Sequence, residues 1–184
     1  MGIMIGSGID VVTFLKGQHE EIKAGFIDVL ASRGEKRQDA FYALRRLLAV
    51  HETAEEEIVH PAARSELPNG EAIVNARLQE ESEAKDALSE LEKLDLDSAK
   101  FETELGVLRT NVIAHAESEE RLEFDALVDK LDQSRLESMR RAVTFAESVA
   151  PTRPHGVQSA AGNLLLGPFA SMLDRARDAI AGKS

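Results

Sequence analysis

Six side chains of metal-binding type, His19, His51, Glu55, Glu81, His115 and Glu119, stand where four successive helical patterns call for an apolar core residue. The first pattern, Val12, Leu15, His19, Ile22, Phe26 and Val29, advances in alternating steps of three and four, the mark of one inward helix face. The second runs Phe41, Leu44, Leu48, His51, Glu55, Ile58, Ala62, and the fourth runs Leu108, Val112, His115, Glu119, Leu122, Ala126. Between them Val74, Arg77, Glu81, Ala84, Leu88 and Leu91 keep the spacing with a carboxylate at the centre. A charged group moved alone into a core loses solvation worth several kcal/mol, and three carboxylates together also repel one another. The only cation on these seams is Arg77. A bound metal is the simplest compensation. A metal-free polar network is the alternative, and the pattern supplies it with too few donors.

At 184 residues and 43% hydrophobic, the chain can bury one substantial core. Aromatic residues make up only 4% and Trp is absent, so the core is aliphatic, as helix bundles allow. The predicted fold class is all-α, an antiparallel up-down four-helix bundle over residues 1–132. Asp10 caps a helix running to about Leu30, the second helix spans about Lys36 to Ala63, the third about Glu71 to Leu94 and the fourth about Ala99 to Lys130. The Leu67-Pro68-Asn69-Gly70 segment and the turn at Ser32 to Gly34 are short enough for antiparallel neighbours.

Residues 133–184 are predicted to form a helical extension packing on the bundle. An amphipathic stretch with Leu136, Met139, Val143 and Ala146 stops at Pro151, followed by a Pro154-His155-Gly156 loop and a helix starting near Pro168, with residues 162–167 as a hinge. The bundle core does not itself require this extension. It reads as a cover, with a homodimer contact or a loosely docked tail as the other readings.

A formal charge of −11 argues against nucleic acid and anionic membrane surfaces as partners. The absence of Cys excludes disulfides, zinc–thiolate sites and a cysteine nucleophile, and fits a reducing cytosol. The apolar start, Met1 to Ile9, lacks a basic leader region, and no uninterrupted apolar run of about 18 residues occurs. A soluble, cytoplasmic protein is expected.

His51 with Glu55, and His115 with Glu119, are spaced so that both members of each pair leave one helix face about one turn apart. With single groups from the first and third helices, three imidazoles and three carboxylates converge. Six donors are too many for one tetrahedral zinc and too rich in imidazole for magnesium or calcium. Two iron ions fit best, with manganese and zinc still open. Glu80 is the alternative to Glu81, one position round the same helix. Glu52 and Glu56 are read as solvated groups or hydrogen-bond partners of ligating imidazoles. His60 and His155 are read as surface residues, and Tyr42 as packing at a boundary or acting near the metals.

His19-Glu20, the His51-Glu52-x-x-Glu55 run and His115-x-x-x-Glu119 resemble the hemerythrin HHE cation-binding family over about residues 9–130. The resemblance implies a four-helix bundle with a non-haem di-iron centre carrying an oxo or hydroxo bridge. It implies Glu55 and Glu119 as bridging carboxylates and His19, His51 and His115 as terminal ligands. Oxygen-carrying members supply two His one turn apart from the third helix, where this chain has Arg77 and Glu81. Guanidinium stays protonated and does not ligate, so one iron loses a donor while Glu81 adds a carboxylate. That shift points away from reversible oxygen carriage and toward decomposition of hydrogen peroxide at an open position. Arg77 either orients the bound peroxide or pairs with Glu81. An iron or oxygen sensor, and O2 or nitric oxide binding without turnover, are the alternatives.

Overall fold

The computed structural model describes residues 8–149, which are helical apart from short connections. Helix α1 (Val11–Ala31) is capped by Asp10, whose carboxylate accepts from the Thr13 amide at 2.8 Å. Helix α2 (Gly34–Ala54) runs through a π-helical turn (Glu55–Val59) into α3 (His60–Glu66). Helix α4 (Gly70–Leu91) follows. Helix α5 (Ala99–Glu119), capped by the Ser98 hydroxyl, continues through a second π turn (Glu120–Phe124) into α6 (Asp125–Lys130). The four long rods thus lie at 11–31, 34–66, 70–91 and 99–130, and form the antiparallel bundle. Among the described residues no helix is long and apolar enough to cross a membrane.

The turn into α4 is tight. Asn69 adopts a left-handed backbone, φ 60°, and a side chain at Gly70 would collide with the carbonyl oxygen of Ala63.

A fifth helix, α7 (Gln133–Val149), packs on α1 and α2. Leu136, Met139, Val143 and Ala146 are buried in one cluster with Val12, Leu15, Ile58, Phe124 and Leu127. This stretch is therefore part of the core that the bundle buries. The remaining expectations for the extension, the 154–156 loop, the hinge, the helix near Pro168 and a homodimer contact, lie outside the described residues.

The apolar core is divided. One cluster joins α7 to the N-terminal half of α1 and to the π turns. The other holds Ile22, Phe26, Leu44, Leu48, Leu88, Phe101, Leu105 and Leu108. Between them in every seam sits a polar residue: His19 between Leu15 and Ile22, Glu55 between Leu48 and Ile58, Glu81 between Val74 and Leu88, and Glu119 between Val112 and Phe124.

Beyond this layer the seams depart from their expected phase. A π turn fits one extra residue into a helical turn and so moves the inward face one residue along the chain. Val59 and Ala63 are buried while Ala62 is half-buried. Phe124 and Leu127 are buried while Leu122, expected inside, is 40% exposed. Pro61, just past the first π turn, has no amide to donate back to residue 57, a local reason for the altered pattern.

Met139 is 1% exposed, and Met139→Ala should lower stability by about 2–5 kcal/mol. Val107→Ala, at a position 53% exposed on α5, should change it by no more than about 0.5 kcal/mol. Urea unfolding midpoints measure both. Equal effects would mean that α7 does not share the core.

Candidate metal centre

Mid-bundle placement brings the ligand-type groups together. The side-chain donor atoms of His19, His51, Glu55 and Glu119 lie within 4.8 Å of one another, and so do those of Glu81, His115 and Glu119. The six sequence-predicted positions therefore meet, with Glu119 shared. His19, His51, Glu55, Glu81 and Glu119 are buried, and His115 nearly so.

All three imidazoles point the same way with respect to the layer. Each donates from Nδ1 to a neighbour: His19 to Glu120 at 2.8 Å, His51 to Gln18 at 2.8 Å, and His115 to Glu80 at 2.9 Å. Each Nε2 faces the carboxylates instead. His51 Nε2 lies 3.3 Å from Glu55 Oε1. His115 and His19 Nε2 lie 3.3 and 3.5 Å from Glu119 Oε2. His19 Nε2 and all four oxygens of Glu55 and Glu119 lack a hydrogen-bond partner among the described residues. Unsatisfied buried polar atoms are rare and costly, and an imidazole held at one nitrogen with the other free is the usual arrangement of a metal ligand. Nitrogen and carboxylate donors in this mixture fit iron or manganese.

The π turns assist. Glu120, which holds His19, begins the second turn, and Phe124, brought inward by it, stacks on the His19 ring with centroids 5.6 Å apart. Gln18 in turn donates to Glu147 of α7 at 2.6 Å, so His51 is linked by hydrogen bonds to the fifth helix.

Several expectations change. His60 is buried, 2% exposed, rather than on the surface. Its Nδ1 lies 2.8 Å from Glu123 and its Nε2 2.7 Å from Glu81. The phase shift in the first π turn carries it inward, and the second turn does the same for Glu123, which is fully buried. Regular helical spacing misses both; the available signal was Pro61, adjacent to His60. Glu52 and Glu56 hold Lys85 rather than an imidazole, and Lys85 also lies 3.6 Å from Glu81 Oε2. Arg77 pairs with Glu80 at 2.6 Å, not with Glu81, and so braces the carboxylate that holds His115. Tyr42 is 48% exposed, lies under Arg45 and lines a separate cleft; His155 lies outside the described residues.

A cavity of about 260 Å³ opens onto the layer, lined by His19, His51, Glu52, Glu80, Glu81 and His115 among others. In the absence of a cation the layer stores protons. Burial and repulsion from Glu119 hold the Glu55 carboxyl well above the usual range. Burial would favour neutral His115, but the Glu119 charge outweighs it and raises the imidazole to about 9. Glu119 is also opposed by burial, yet the His115 charge keeps its carboxyl below the ordinary value. Burial, then the charge of His19, depresses His51 to about 3.

A metal ion must displace the proton on His115. His115 carries its proton below about pH 9, and the competition of that proton with a metal weakens as the proton concentration falls, so metal affinity rises with pH between 7 and 9. The expected slope is up to about tenfold per pH unit for each proton released. Calorimetric titration with Mn²⁺ in buffers of different ionisation enthalpy measures the release; affinity independent of pH would contradict this account of the layer.

The model of the hemerythrin HHE cation binding domain matches residues 10–127 of the chain. A solved structure of a hemerythrin HHE cation binding domain-containing protein from Mycobacterium kansasii superposes with a TM-score of 0.69. It is 22% identical and covers 77% of this chain and 86% of its own, which supports the bundle fold. A curated relative described as a DNA nickase, from Nostoc sp., is 24% identical over 155 residues. That match takes in 84% of this chain but only 44% of the relative, so the chain spans less than half of its length. With the family match covering four helices and the His and Glu layer between them, the chain belongs to the hemerythrin HHE cation-binding domain family.

Proposed function

We propose that the chain is a cytoplasmic non-haem di-iron protein, with two iron ions under an oxo or hydroxo bridge, that decomposes hydrogen peroxide. The observation that carries this reading is the cavity, which brings a small polar molecule to His19, His51, Glu81 and His115 at the carboxylate-rich side of the layer. Two irons bound there would supply the electron exchange by which one peroxide is oxidised to dioxygen and a second is reduced to two waters. Glu55 and Glu119 are suited to bridge, because both oxygens of each lack protein partners. His19, His51 and His115 are suited to terminal ligation, since each Nδ1 is already held. Glu81 offers a carboxylate where oxygen carriers use an imidazole, and anionic oxygen donors favour the ferric state.

Glu52 presents a carboxyl to the same cavity, where it can carry one of the two protons released by the peroxide being oxidised to the one being reduced, the other exchanging through solvent in the cavity. Arg77 enters through Glu80: it fixes the carboxylate that lines the cavity and orients His115, and so positions peroxide indirectly. A formal charge of −11 offers a phosphodiester backbone little compensation, so the DNA nicking named for the Nostoc relative is not part of this reading.

Iron-loaded protein should evolve oxygen from peroxide, and Glu81→Ala and His115→Ala should each lower the rate by at least about tenfold, the loss expected when a metal's surroundings are altered. Wild-type rates in both variants would overturn the proposal.

The hydrogen-bonded line from His51 through Gln18 to Glu147 of α7 favours a second reading, an iron or oxygen sensor. It predicts slow peroxide turnover together with a large metal-dependent change in the protease sensitivity of residues 151–184. Fast turnover without such a change would exclude it.

A further inference from the structure

Arg77 leaves the third rod one donor short, and the fold supplies two donors that the family pattern does not use. His60, from the end of the first π turn, and Glu123, from within the second, have donor atoms within 4.8 Å of each other and of Glu119. All three side chains are buried, at 2%, 0% and 0% exposure. Glu123 Oε2 and both oxygens of Glu119 have no hydrogen-bond partner among the described residues, while Glu81 meets His60 through Oε1 and has Lys85 3.6 Å from Oε2. From this arrangement we infer that His60 and Glu123, with the shared carboxylate Glu119, are ligands to the second metal ion. This rests on the reading that the layer holds two metal ions. It assigns to them a ligand pair drawn from the two π turns.

Three physical points support the assignment. First, Glu119 belongs to every group of converging donors, so it can serve two ions through its two oxygens. His19, His51 and Glu55 gather with it in one group, while Glu81 with His115, and His60 with Glu123, form two others that are linked by the 2.7 Å contact of His60 with Glu81. Second, His60 is held at both ring nitrogens, by Glu123 and by Glu81. When one nitrogen turns to a metal, the other remains oriented by a carboxylate, the support that ligating imidazoles commonly have. Third, both residues owe their inward position to an irregular turn. A π turn interrupts regular hydrogen bonding and is frequently found at functional sites. A cleft lined by Glu56, His60, Pro61 and Val74 approaches His60 from the face of α3 and α4, apart from the cavity that reaches His51 and His115. Imidazole together with several carboxylates suits a divalent first-row ion such as Fe²⁺ or Mn²⁺.

The competing role for His60 is that of an internal cation, protonated and neutralising Glu81 and Glu123 without touching a metal. The two roles differ in metal count. The full chain, freed of metal, is titrated anaerobically with Co²⁺, following the visible ligand-field absorption and the bound metal by equilibrium dialysis. Wild type should take up about two equivalents, while His60→Ala and Glu123→Gln should each keep only about one at comparable affinity. The retained ion should have unchanged absorption, because the group around His19 and His51 is intact. Glu123→Gln preserves side-chain shape, and circular dichroism of the metal-free variants shows whether each is folded. Uptake of two ions with wild-type affinity and spectrum by folded Glu123→Gln would overturn the inference, as would tighter uptake by His60→Ala or a single equivalent in wild type. Loss of one ion from both variants, in a protein that leaves peroxide unreacted, would support the inference while refuting peroxide decomposition.

Discussion

Negative charge placed out of reach of water is the constraint on which this bundle turns. Glu55, Glu81, Glu119 and Glu123 are each no more than 1% exposed and lie in one layer. Apolar clusters on both sides keep the local dielectric low, so repulsion among the carboxylates and their attraction to a cation are both much larger than at a surface. Without metal the layer is kept tolerable by the proton on His115 and by Lys85 beside Glu81 at its edge. A multiply charged ion would replace these partial remedies at the unpartnered carboxylate oxygens that gather around Glu119.

Orientation comes from outside the layer. His19 is held by Glu120, His51 by Gln18 and His115 by Glu80, so three different rods contribute the groups that aim the imidazoles. Two of these supports are themselves braced, Glu80 by Arg77 and Gln18 by Glu147. Such chains fix the tautomer as well as the direction of each ring, because a nitrogen that donates outward leaves its partner free to accept a metal inward. The bracing by Glu147 also explains why α7 belongs with the bundle: its apolar face closes one core cluster and its polar edge reaches the layer.

The fold was legible in the sequence because alternating steps of three and four mark an inward face directly, and the caps at Asp10 and Ser98 and the turn before Gly70 bound the rods. The layer was legible for the same reason: a polar residue on such a face is an energetic anomaly. The choice of Glu81 over Glu80 as the inward carboxylate followed from phase, and Glu81 is 1% exposed while Glu80 lies at the cavity mouth. What the pattern could not reveal lay past the π turns. A ruler of regular helical pitch laid across Glu55–Val59 puts His60 outside and Ala62 inside, and across Glu120–Phe124 it puts Leu122 inside in place of Glu123. The contacts of Gln18, Glu80 and Glu120 were equally hidden, since they join residues of different rods and depend on rod rotation.

The two π turns have a further consequence. The first begins at Glu55 and the second directly after Glu119, the two carboxylates suited to bridging, so the α2–α3 and α5–α6 rods change phase together. An ordinary helix advances about 100° per residue, and a one-residue offset therefore exposes a different set of side chains to the partner rods. Above the layer and below it, the same two rods are in effect different helices. Each half can then diverge in sequence under its own packing rules, with the layer as the fixed joint between them.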